Sequence, residues 1–100
     1  MVVYEVTAVV EAKLADDYEQ YMTERHIADV LATGYFSSAT IDRIGEKYRI
    51  RYYASDQASL DAYLASEAPR LRDDFNSHFP DGIELTRAVW DNIGEFSIDS

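Results

Sequence analysis

The chain has no cysteine, two prolines and four glycines in 100 residues. The lack of cysteine removes disulfides, thiolate metal ligands and cysteine nucleophiles together. In so small a chain it also points to a reducing interior, so the cytoplasm is the expected compartment. Four glycines leave little room for a phosphate-cradling loop, and neither that pattern, nor a nucleophile elbow, nor a coupled Ser-His-Asp arrangement occurs. Two histidines without companions at metal-ligand spacing argue against a zinc or iron site, and no pattern calls for a cofactor. No apolar run is long enough to span a bilayer, and no basic region precedes the apolar opening, so neither a spanning helix nor a secretory leader is expected. Positive charge is scarce too: nine Lys and Arg face nineteen Asp and Glu, a formal net charge of -10. That sign repels a phosphate backbone, so nucleic acid is not an expected partner.

What the chain does contain is enough for one folded domain. Its 47% apolar and 28% charged residues are ordinary for a globular protein, and 100 residues can bury a single core without staples. Val2 to Val10 alternates as a strand, with Val2, Tyr4, Val6, Ala8 and Val10 on one face and Val3, Glu5, Thr7 and Val9 on the other. Leu14, Tyr18, Tyr21 and Met22 then recur at helical spacing. The next apolar residues, Ile27, Val30 and Leu31, lie off that stripe, which predicts a bend or break near Arg25 and His26 before the helix ends at about Thr33, ahead of Gly34.

Tyr35 to Ile44 and Lys47 to Ala54 read as a hairpin closed by Gly45 and Glu46. Ser55 and Asp56 are cap candidates for a second helix whose stripe is Leu60, Tyr63, Leu64, Leu71 and Phe75; Pro69 predicts a break at 67–69. Pro80 to Gly82 is a turn, Ile83 to Ile93 a last strand, and 94–100 a loose tail behind a domain of residues 1–93.

Strand, helix, strand, strand, helix, strand is most simply met by an α+β ferredoxin-like sandwich: a four-stranded antiparallel sheet in order 4-1-3-2 with both helices on one face. The other face would carry Val3, Val9, Ile41, Tyr53 and Trp90 among Thr7, Arg49 and Arg51. So much clustered apolar surface predicts a homodimer with sheets stacked face to face.

The segments Val3-Tyr4-Glu5-Val6, Tyr21-Met22 with His26-Ile27, Gly34-Tyr35-Phe36, Arg51-Tyr52-Tyr53, Tyr63-Leu64 with Ala68-Pro69-Arg70-Leu71-Arg72, and Phe79 followed by Arg87 resemble the domain of unknown function 4286 family over nearly the whole chain. The resemblance implies a dimeric alpha/beta barrel. That superfamily also holds antibiotic-biosynthesis monooxygenases, haem-degrading enzymes, muconolactone isomerases and stress-responsive barrel proteins, so fold and dimer are implied while activity is not.

Among side chains able to do chemistry, His26 stands out as an acid, base or hydrogen-bonding group at the expected helix break; its competing role is to cap that break. His78 at the end of the second helix suits the helix dipole. Tyr4, Tyr21, Tyr52 and Tyr63 all project, by strand and helix phase, between helices and sheet, where Arg70, Arg87 or His26 would partner their hydroxyls. An aromatic wall with cationic donors suits a small aromatic or carboxylate ligand; the alternative is a tyrosine-rich core with internal hydrogen bonds. Arg49 and Arg51 are expected to pair with Glu5 across a dimer, and the acidic runs at 16–19 and 73–74 to face solvent. Three functions stay open: a small-molecule binder, a cofactor-independent oxygenase or isomerase using His26, and a structural dimer module.

Overall fold

The computed structural model describes residues 1–98. Four strands, β1 (Val2–Val10), β2 (Ser38–Ile44), β3 (Lys47–Ala54) and β4 (Ile83–Asp91), form one antiparallel sheet in the order β2-β3-β1-β4. This is the expected ferredoxin-like order read from the opposite edge. Helices α1 (Ala15–Tyr21), α2 (Ile27–Ala32), α3 (Gln57–Ser66) and α4 (Ala68–His78) supply the second layer. The core lies between: Tyr4, Ala8 and Val10 of β1, Tyr48, Ile50 and Tyr52 of β3, and Tyr18, Val30, Leu60 and Leu71 of the helices are buried.

The expected break in the first helix is a π-helical turn, Met22–His26, between α1 and α2. The amide of Ile27 reaches back five residues to the carbonyl of Met22, so one extra residue is absorbed in the turn. On an uninterrupted α-helix, Met22 and Val30 would sit about 80° apart. Losing one residue to the turn brings both onto the sheet, and both are buried. The shift of the apolar stripe in the sequence is the trace of this turn.

The second break follows proline chemistry. Asp56 caps α3 by accepting the Ser59 amide at 2.8 Å, and α4 begins one residue after Glu67, with Pro69 in its first turn where a missing N–H costs nothing. Gly45, with φ of 58°, takes the first central position of the β2–β3 turn, as a II′ hairpin asks. Gly82, with φ of 85°, opens β4 and accepts the Glu11 amide at 3.0 Å.

Several expectations need correcting. β2 begins at Ser38 rather than Tyr35, because Phe36 turns inward against Tyr63 and Tyr52, at ring distances of 4.8 and 5.3 Å. β4 stops at Asp91: Asn92 still bonds the Met1 carbonyl, while Ile93 is fully exposed. Residues 99 and 100 of the expected tail lie outside the described residues. Ile41 pairs with buried Ile50, which puts it on the helix-covered face, not the open one. Arg51 meets Glu5 at 3.3 Å within the protomer, as its cross-strand partner, and Arg49 meets Asp42 at 3.5 Å. Nor are the acidic runs simply solvated: Glu19 accepts from Tyr48 and Arg43, and Asp74 from Tyr21 and Arg25.

Candidate functional site

A cavity of about 100 Å³ remains between helices and sheet. Its floor is Tyr4 and Val6 of β1, Tyr52 of β3, and Leu85 and Arg87 of β4. Tyr4 and Tyr52 are direct cross-strand partners, with rings 6.1 Å apart. Tyr18, Met22, His26 and Val30 of the first helical run close one side. Tyr63 of α3, with Ala68, Leu71, Arg72, Phe75 and Asn76 of α4, closes the other. Both helix interruptions border the space: Met22 and His26 belong to the π turn, and Ala68 follows the break at Glu67.

Polar groups converge here without protein partners. The hydroxyls of Tyr4, Tyr18, Tyr52 and Tyr63 make no hydrogen bond among the described residues, unlike those of Tyr21 and Tyr48, which reach Asp74 and Glu19. Burial pushes the Tyr52 phenol far above its ordinary value, helped by the neighbouring hydroxyls of Tyr63, Tyr18 and Tyr4. Burial also pushes Tyr63 up to about 12, against the pull of Arg72, Arg70 and Arg87. Both are therefore neutral at physiological pH and able to donate and accept.

His26 is neutral for a related reason. Burial lowers its pKa below 6.5, with Arg25 acting in the same direction and Asp29 and Asp74 opposing. Its ring is held between Tyr21, at 5.6 Å and 27°, and Phe75, at 5.8 Å and 63°. Nδ1 is fully buried and has no hydrogen-bond partner among the described residues. The charge around the cavity is one-sided as well. Its lining holds two arginines and no carboxylate, in a chain of net charge -10.

Of the residues singled out in the sequence, the fold brings His26, Tyr4, Tyr52, Tyr63 and Arg87 to the cavity. Tyr21 and Arg70 lie elsewhere. Tyr21 is buried, yet its hydroxyl points away to Asp74 at 2.9 Å and its ring stacks on His78 at 4.5 Å. Arg70 is exposed and paired with Glu67 at 2.9 Å. The sequence reading missed Tyr18, Arg72 and Asn76. The α4 stripe Ala68, Leu71, Arg72, Phe75, spaced i, i+3, i+4, i+7, was the signal that places Arg72 and not Arg70 on the inner face.

A second, wider hollow of about 590 Å³ lies on the open sheet face, where Val3, Thr40, Arg51, Tyr53 and Trp90 meet residues 91–95. Among the described residues no group of three or more His, Asp or Glu is placed to hold a metal, and no helix is long and apolar enough to cross a membrane.

Sheet order and helix placement define a ferredoxin-like α+β protein of the kind seen in antibiotic-biosynthesis-monooxygenase-type structures. The haem degrader MhuD of Mycobacterium tuberculosis, solved with two haems in its active site, superposes with a TM-score of 0.74 at 14% identity, covering 97% of this chain and 100% of that one. A putative antibiotic biosynthesis monooxygenase from Deinococcus radiodurans gives 0.70 at 14% identity over 98% of both chains. A de novo designed ferredoxin-fold protein gives 0.54 at 19% identity, covering 97% and 91%. At such identities the likeness shows the fold alone. No curated protein sequence matches the chain. The chain belongs to the family described as domain of unknown function (DUF4286), whose profile matches residues 1–93.

Proposed function

We propose that this protein binds a small aromatic or carboxylate molecule in the cavity between helices and sheet, without catalysis, and does so as a homodimer joined through its open sheet face. The observation carrying the binding half is the meeting of four tyrosines and His26 around one space, with the four hydroxyls making no hydrogen bond among the described residues. A buried polar group left unpaired costs about 1–3 kcal/mol. A core built only for packing would pair them; here a bound ligand supplies the missing partners.

The dimer half rests on the open face. Trp90 and Val9 are 52% and 41% exposed there, beside half-buried Tyr53, while Val3, expected to be bare, is already buried within the protomer and Arg51 and Arg49 are matched by Glu5 and Asp42. A second sheet covers such a face by aligned stacking.

The direct test of binding is thermal melting with millimolar benzoate. A ligand at 100 times its Kd stabilises the folded state by about 2.7 kcal/mol, a rise of roughly 10 °C or more for a domain of this size. Unchanged melting with benzoate, and with acetate as the smaller probe, overturns the reading.

The neutral, half-buried imidazole of His26 favours a second reading, a cofactor-independent oxygenase or isomerase acting on an aromatic or polyketide-like substrate with His26 as base. Mass spectrometry of a bound ligand after prolonged incubation separates the two. Recovery unchanged supports the binder, whereas a product whose formation falls about 100-fold in His26→Gln supports the enzyme. The neighbour solved with haem does not bring haem here. A cavity of about 100 Å³ is well below the roughly 300 Å³ or more of sites for drug-sized ligands, and a porphyrin is larger still.

A further inference from the structure

Resting on the reading of the open sheet face as a dimer interface, we propose that residues 93–98 form an arm that closes over the second copy. The two sheets stack about a two-fold axis running along their strands, and both arms meet at the end of the dimer where β4 finishes.

The arm is the part of the chain that its own protomer leaves bare. Eight large apolar side chains are exposed among the described residues, and six of them, Met1, Val89, Trp90, Ile93, Phe96 and Ile98, gather at this one end. Ile93, Phe96 and Ile98 are fully exposed. After β4 stops at Asp91, the Gly94 amide donates to Asn92 Oδ1 at 2.9 Å, a side-chain turn that bends the chain as it leaves the sheet. Residues 92–95 then edge the hollow of about 590 Å³ above Tyr53 and Trp90 without filling it. An extended 93–98 reaches roughly 20 Å, ample to cross the ~10 Å between stacked sheets. A bare arm and an unfilled hollow at the same place have one occupant in common, a second copy.

Charge selects the axis. A two-fold axis between stacked sheets runs either across the strands or along them. The order β2-β3-β1-β4 puts β3 and β1 in the middle, with Arg49 and Arg51 of β3 in register with Thr7 and Glu5 of β1. An axis across the strands at mid-face turns β3 end for end onto itself and sets Arg49 against Arg51 of the second copy. An axis along the strands exchanges β3 with β1, so Arg51 faces Glu5 of the second copy and Tyr53 faces Val3. The first arrangement opposes like charges at the centre of the interface; the second matches opposite ones. The second also superposes like ends of the two sheets, which brings both Trp90 ends and both arms together.

The tests exploit a chain without cysteine, in which an introduced thiol is the only one. Phe96→Cys, at a fully exposed position, should react with a maleimide at least tenfold more slowly at a concentration where light scattering shows dimer than in dilute monomer. A chain ending at Asn92 should melt like the full chain when dilute and monomeric, yet dimerise at least tenfold more weakly. Val9→Cys reports the axis. With the axis along the strands, Val9 of the central strand β1 stands about 11 Å from its counterpart, within reach of a short bismaleimide, whereas an axis across the strands parts the two by more than about 20 Å. Labelling of Phe96→Cys at one rate in monomer and dimer, or truncation that leaves dimer affinity within twofold, overturns the arm while the dimer stands. A dimer in which Val9→Cys fails to cross-link overturns the axis. A wild-type protein that stays monomeric at high micromolar concentration takes the dimer reading down together with the proposal.

Discussion

The two faces of the one sheet are built from alternate residues of the same strands and solve opposite problems. On the open face, two pairs of charged groups are matched in place: Glu5 with Arg51, Asp42 with Arg49. The Arg51–Glu5 contact at 3.3 Å is an ion contact rather than a well-directed hydrogen bond, since Arg51 Nε has no partner by angle. What that face leaves over is apolar surface at Trp90 and Val9. On the covered face the apolar surface is spent on the core, and neutral hydroxyls and an imidazole are left over. One face lacks a hydrophobic partner and the other a hydrogen-bonding one, so a second copy suits the first and a small polar molecule the second.

The sharpest way to break this contrast is to truncate one aromatic on each side. Tyr18 is fully buried against Tyr48, Phe75 and Phe79, so Tyr18→Ala should cost about 3–5 kcal/mol and leave little folded protein in chemical denaturation. Trp90→Ala should cost a dilute, monomeric sample less than about 1 kcal/mol and show instead as lost association. Equal destabilisation by the two would erase the distinction between the faces. Next in size, Val9→Lys places an unpaired charge in the proposed interface, and light scattering should show the dimer weakened by roughly 100-fold, because such burial costs several kcal/mol. A wild-type monomer at high micromolar concentration contradicts the dimer.

Smaller effects should follow pH, with opposite signs at the two ends. Tyr18, Tyr52 and Tyr63 titrate above the unfolded value of 10 because burial opposes their ionisation, so the stability they carry is present below pH 10 and lost as pH rises beyond it. The slope is at most about 1.4 kcal/mol per pH unit for each tyrosine. His26 has a lowered pKa, so the unfolded chain takes up its proton first and stability falls as pH drops below 6.5 toward the folded value. Denaturant titrations of His26→Phe should be flatter over that window. An unchanged acid limb would mean that the imidazole is not desolvated.

Much of this was legible in the residues. Strands β1 and β3, the interruption near His26 and the restart at Pro69 all follow from period, proline and stripe phase, because each is a local property of the chain. Errors came where phase alone does not decide. Phe36 extends an alternating pattern but packs against Tyr63, a residue far along the chain. Ile41 was assigned to the wrong face because the register of β2 is set by where the strand starts, and a one-residue slip inverts it. Tyr21 was rightly read as buried, but burial does not say where a hydroxyl goes, and Asp74 captures it from α4. Arg70 and Arg72, about 200° apart on a helix, were separable only through their neighbour Leu71.

The most direct test of the division between the faces is methyl NMR during titration with 4-hydroxybenzoate. Signals of Met22, Val30, Leu71 and Leu85 around the cavity should shift together and saturate, while Val3 and Val9 on the open face stay in place. Shifts confined to Val3 and Val9, with the cavity methyls unmoved, would put the ligand on the open face and contradict the account.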